Sequence, residues 1–180
     1  DHLKTIQTSV KIETAYNPDW KLANGVSVLA AQSLIPINED FMISMSDHYY
    51  NSNLLKTIKT HSDDHAIASV GADYNISEIH DIDDGMKLKI DNASNLITAM
   101  SKDLIEYDAI DCGIFKCKYK FFDYLIKAKA KNECSLSDAC NILINERTMG
   151  SINIKNCPWI DIDTPEALSF INENPTKFKE

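Results

Sequence analysis

A chain of 180 residues has the length of one ordinary domain, and 44% hydrophobic against 25% charged residues excludes wholesale disorder. The formal net charge is −9, with Arg147 the sole arginine, so the surface repels nucleic-acid backbones and anionic lipid and excludes a general DNA, RNA or membrane-surface role. Apolar runs break at Pro36 or Asp47, far short of the roughly 20 residues that span a bilayer, so no membrane insertion by this chain is expected.

Residues 10–16 alternate with period two and stop at Asn17-Pro18, which predicts a strand and then a loop. From Gly25 to Leu34 apolar residues recur at helical spacing until Pro36 ends the pattern. The nearly all-apolar run 41–45 predicts a strand buried on both faces of a parallel sheet, and 65–72 a second. A short helix is expected over 52–59. Segments 86–91 and 95–99 flank Asn92 and suit a hairpin. A strand over 109–116 precedes helices near 118–131 and 135–146, the second with Ser135 as N-cap, and 151–155 returns as a strand. Thr164-Pro165-Glu166 opens a last helix with a cap, a proline at the first position and an early acid. The fold class expected is α/β, a single domain over 1–180 built as a three-layer sandwich around a mostly parallel sheet.

Ligands in open α/β sheets bind beyond the carboxyl ends of the strands. Asp47 stands there, after the run ending at Met45-Ser46, either as a ligand for Mg²⁺, which favours hard oxygens, or as the cap of the next turn. Alternation puts Trp159, Asp161 and Asp163 on one face, and two carboxylates so close need a cation or a donor between them. The competing reading is that Asp163 or Thr164 only caps the last helix. His48 follows Asp47 and could reach a ligand, whereas His2, His61, His65 and His80 have no motif around them. The stretch from Asp81 to Gly85 has its glycine one place early for a calcium loop and lacks the closing acid. Asn24-Gly25 predicts a tight loop in which glycine lets the backbone approach a ligand. Five cysteines with no Cys-x-x-Cys pair predict reduced thiols in a cytoplasmic protein, and neither Cys117 nor Cys140 shows a paired base.

Five phrases then occur in order: Asn17-Pro18-Asp19-Trp20, Asn24-Gly25-Val26-Ser27, Met45-Ser46-Asp47-His48, the run from Tyr107 to Gly113, and the run from Trp159 to Glu166. With them the chain resembles the sugar-phosphate-type nucleotidyltransferases, nearest their CTP:inositol-1-phosphate cytidylyltransferase branch. The resemblance implies Mg²⁺ on Asp47 and on Asp161 or Asp163, with Asp163 favoured. It implies Asn24, Gly25 and Ser27 at the nucleotide base, Lys102 on the acceptor phosphate, and Asp108, Asp111 and Gly113 beside the acceptor's hydroxyls. Lys87 matches a lysine of the branch without an assigned role. The family's glycine-rich triphosphate loop has no counterpart, and with Asp1 in place of a methionine this predicts an N-terminally incomplete domain lacking its first strand and phosphate loop.

The activity implied is transfer of CMP from CTP to inositol 1-phosphate with release of pyrophosphate, a step of phospholipid biosynthesis. Asp47 and Lys102 are its expected catalytic residues, and CTP and a small phosphorylated alcohol its partners. Two alternatives stand beside it. One is a truncated domain that binds nucleotide or acceptor without turnover. The other is a metal-dependent glycosyltransferase, since Asp161-Ile162-Asp163 is also an Asp-x-Asp pattern.

Overall fold

The computed structural model describes residues 2–79 and 82–178. Residues 10–16 form no strand; they lie exposed, with Lys11 paired to Glu13 at 3.0 Å. Alternation makes a strand only where a neighbour takes the backbone hydrogen bonds, and among the described residues none lies beside this segment. The remaining elements follow the expected order. Helix α1 (Gly25–Ala30) continues into a 3₁₀ turn (Gln32–Leu34), and strand β1 (Phe41–Ser44) is half-buried rather than covered on both faces. Strand β2 (His48–Tyr50) leads into helix α2 (Ser52–Thr60), which is capped by the side chain of Asn51 on the Leu54 amide. Strand β3 (Ala68–Asp73) is buried along its whole length. Strands β4 (Lys87–Asp91) and β5 (Leu96–Ser101) form the hairpin, with Asn95 in the left-handed region at φ 57°.

Strand β6 (Ala109–Cys117) precedes helices α3 (Phe121–Ala130) and α4 (Leu136–Asn145), then strand β7 (Met149–Asn153). Strand β8 (Trp159–Asp161) and helix α5 (Pro165–Glu173) complete the described elements, with Thr164 capping α5 through the Ala167 amide. Ser135 caps α4 with a full capping box: its hydroxyl takes the Asp138 amide at 3.0 Å while the Asp138 carboxylate takes the Ser135 amide at 2.9 Å. Ser135→Ala is expected to cost about 1 kcal/mol, read as a lower urea midpoint at unchanged slope.

The sheet is mixed, and the mostly parallel arrangement is corrected. Only β3 and β7 pair in parallel among the described strands. Strand β6 lies between β1 and β3 and runs against both, so those two point the same way without touching. An apolar run records burial, and a central antiparallel strand can be buried as fully as a parallel one. The ladders also return on themselves, from β6 through β3, β7, β5 and β4 back to β6, where an open layered sheet was expected. Helices α3 and α4 pack Phe121, Phe122, Leu125, Ala139 and Leu143 into the larger apolar cluster. Helix α2 packs Leu54 and Ile58 against Cys112 and Ile114 of β6 and Ile152 of β7. No helix among the described residues is long and apolar enough to cross a membrane.

Candidate functional site

Two short strands bring distant parts of the chain together. In the β2–β8 ladder His48 faces Asp161, Tyr49 faces Ile160 and Tyr50 faces Trp159. The Ile162 amide adds a 2.8 Å bond to the Asp47 carbonyl, so the backbone itself carries Asp161 to Asp47. Asp47, His48 and Asp161 each offer one ligand atom, all within 4.8 Å of one another. His48 Nδ1 lies 2.9 Å from Asp47 Oδ1 and 3.7 Å from Asp161 Oδ1. Asp163 lines the same cavity but stands outside that cluster.

The electrostatics favour a cation. Asp161 Oδ1 is buried and has no hydrogen-bond partner. Desolvation raises the Asp161 pKa; nearby His48 opposes the rise, while Asp47, Asp163 and Asp84 add to it. An orphaned carboxylate oxygen beside a second carboxylate is the donor set that a hard divalent ion takes.

The cavity holds about 370 Å³ and is walled also by Asn24, Asp84, Lys102, Asp111 and Gly113. Lys102, at the end of the β4–β5 hairpin, bonds Asp84 at 2.6 Å across this wall, and Lys87 Nζ bonds the Lys102 carbonyl at 2.6 Å. Asp111 accepts from the Gly113 amide at 2.7 Å. Desolvation raises its pKa from 3.8 to about 7, against the pull of that amide and of His48. The folded protein therefore keeps a proton on Asp111 where the unfolded chain has released it, and the stability this contributes in acid is lost as pH rises through about 7. Asp111→Asn is expected to flatten the fall in unfolding free energy between about pH 4 and pH 7, measured by urea titration at several pH values.

Other singled-out residues sit elsewhere. Asp108 takes the Ile90 amide at 2.8 Å and Lys89 at 3.3 Å, which holds β4 rather than lining the cavity. Gly25 packs against backbone: a side chain there would meet the Cys134 carbonyl oxygen at 2.6 Å. Ser27 bonds Asn17 at 3.1 Å, while the Asn24 side chain takes the Leu136 amide at 2.8 Å at the cavity's edge. All five cysteines are free, and burial pushes the Cys117 and Cys140 thiols up, which makes them poor nucleophiles. His80 and Asp81 lie outside the described residues. The sequence reading missed Asp84 as the partner of Lys102 and Asp73 as the partner of Trp159, whose indole bonds it at 2.8 Å. Neither has a spacing signal, because both contacts are tertiary.

No protein-family model matches the chain. It is 26% identical over 164 residues to a "Bifunctional IPC transferase and DIPP synthase" of Rubrobacter xylanophilus, covering 90% of this chain and 36% of that protein. A protein of the same description from Thermococcus kodakarensis is 27% identical over 161 residues, covering 87% and 33%. The chain thus spans about a third of the length of these curated relatives. Among solved structures it resembles the inositol-1-phosphate CTP transferase from T. maritima, with a TM-score of 0.77 at 21% identity over 90% of this chain and 64% of that one. A putative glucose-1-phosphate thymidylyltransferase from Bacillus anthracis gives 0.68 at 14% identity, over 90% and 62%. The α/β fold is that of nucleotidyltransferases, and the resemblance to the inositol-1-phosphate cytidylyltransferase branch holds.

Proposed function

We propose that residues 1–180 form a nucleotidyltransferase domain that moves CMP from CTP to inositol 1-phosphate, releasing pyrophosphate. The observation that carries this reading is the meeting of Asp47 and Asp161 at one cavity that also presents Lys102. The likeness to an inositol-1-phosphate CTP transferase supports the choice of an inositol phosphate and of CTP. Free thiols support a cytoplasmic setting, and a CMP-activated phosphoalcohol supports a place in phospholipid biosynthesis.

An oxygen of the acceptor phosphate attacks the α-phosphorus in line; a new P–O bond forms and the bond to the β-phosphate breaks, its electron pair leaving with pyrophosphate. The attacking oxygen already carries charge, so no side chain has to act as a general base. Catalysis then rests on positioning and charge neutralisation. Mg²⁺ held by Asp47 and Asp161, with Asp163 on the same wall, would supply Lewis-acid neutralisation of the nucleotide phosphates. Lys102 exchanges Asp84 for the acceptor phosphate, Asp111 and Gly113 meet the acceptor's hydroxyls, and Asp108 keeps β4 in place behind them. Asn24, at the cavity edge, marks the nucleotide side, while Gly25 and Ser27 follow it in α1 without lining the cavity.

Pyrophosphate release from a panel of nucleoside triphosphates and phosphorylated alcohols tests this directly. CTP with inositol 1-phosphate is expected to give the highest rate; transfer from a nucleotide-sugar without pyrophosphate would instead mark a glycosyltransferase. Lys102→Met should raise KM for the acceptor by roughly 10- to 100-fold, the worth of one charge-assisted bond, with a smaller effect on kcat. One observation favours binding without turnover: among the described lining residues Lys102 is the sole lysine facing five aspartates. Retained inositol phosphate binding with no pyrophosphate release would establish that second reading.

A further inference from the structure

We propose that Asp73 is a positioning residue for the cation site: through Trp159 it fixes the imidazole of His48, and through that ring the carboxylate of Asp47. The inference rests on the reading of Asp47 and Asp161 as cation ligands.

Asp73 ends β3 and is the one buried charged side chain among the described residues, 7% exposed. Burying a carboxylate is costly unless its oxygens are bonded. Here both are: Oδ1 takes the Asn75 amide at 2.9 Å and Oδ2 takes the Trp159 indole N–H at 2.8 Å. That indole stacks on His48, ring centroids 5.5 Å apart and planes 8° from parallel. The contact follows from the ladder, since Trp159 and His48 are diagonal neighbours across β2 and β8. Gly113, at φ 75°, leaves space for the same ring; an added Cβ would overlap it.

The imidazole is thus confined by a bonded indole and a bare backbone, with Nδ1 left at 2.9 Å from Asp47 Oδ1. Half of the Asp47 side chain is exposed, and among the described residues no other hydrogen bond orients it. His48 is therefore the group that selects which Asp47 oxygen faces the cavity, and Asp73 holds His48 in place from a distance. Outer partners of this kind tune metal affinity by about 10- to 100-fold.

The test is calorimetric titration of Mn²⁺ into the wild type, Trp159→Phe, Asp73→Leu and Asp73→Asn. The same metal-free proteins are compared by ¹⁵N NMR of the histidines at alkaline pH, where the proton sits on one ring nitrogen. Trp159→Phe keeps an aromatic ring but loses the N–H. It and Asp73→Leu should weaken Mn²⁺ on the order of tenfold and let the His48 proton spread over both nitrogens. Asp73→Asn keeps one acceptor oxygen, which with the carboxamide turned toward Trp159 still serves the indole although the Asn75 amide loses its partner. Mn²⁺ affinity should stay within about twofold of the wild type even if the variant melts lower, a rescue that a purely structural role for the charge would not give. Thermal unfolding of each variant checks the fold, and if Asp73→Leu does not fold, Trp159→Phe decides. Wild-type Mn²⁺ affinity and an unchanged His48 pattern in Trp159→Phe would overturn the proposal. If the wild type itself binds no Mn²⁺, the cation reading fails; the His48 pattern still decides the relay, a mixed pattern in Trp159→Phe supporting it and an unchanged one overturning it.

Discussion

Asp47→Ala should lower pyrophosphate release from CTP and inositol 1-phosphate by about 10²- to 10³-fold, the few kcal/mol that one charge-stabilising group contributes to a transition state. The loss should fall on kcat, because the developing charge is largest in the transition state. Asp47 is half exposed and sits in a turn outside the main apolar clusters, so the variant should melt near the wild type. Asp161→Asn should lose activity similarly, but unlike Asp47→Ala it should change the stability of the fold. Its raised pKa reports a charge the metal-free protein holds against desolvation and three neighbouring aspartates. Removing that charge should stabilise the metal-free fold as it abolishes cation binding, a trade between stability and function seen at strained sites. Initial rates and thermal melts with and without Mg²⁺ check both halves.

Gly113→Ala should be the most damaging small substitution near the cavity. Gly113 has φ 75°, where any side chain is strained, and its amide and carbonyl are both committed, to Asp111 and to the Met45 amide at 3.0 Å. A methyl group there would occupy the space of the His48 ring. Strained backbone and overpacking each cost roughly 1–3 kcal/mol, so a loss of about 2–4 kcal/mol is expected. The displaced ring would release Asp47 as well, so Mn²⁺ affinity should fall together with the urea midpoint.

Local chemistry made much of the fold legible. The capping box at Ser135, the Thr164-Pro165 start of α5 and the turn before Asn95 are decided by neighbours in sequence, and the elements stand where those residues put them. Strand direction is not local. The apolar runs at β1 and β3 record burial without saying that β6 would run between them in the opposite sense. Residues 10–16 show the converse, a strand pattern with no strand, because among the described residues no partner is beside it. Strands β2 and β8, three residues each, are too short for any periodicity to reveal, yet their ladder assembles the site. Alternation did place Trp159, Asp161 and Asp163 on one face, and all three line one cavity. The role of Asp73 was out of reach, since a single aspartate at a strand end says nothing about an indole far along the chain.

The most direct test of the account is an anomalous difference map from crystals grown with Mn²⁺. A peak coordinated by side-chain oxygens of both Asp47 and Asp161 is the result predicted. A saturating concentration of Mn²⁺ that leaves this pair empty, or a peak held by other residues alone, would contradict it.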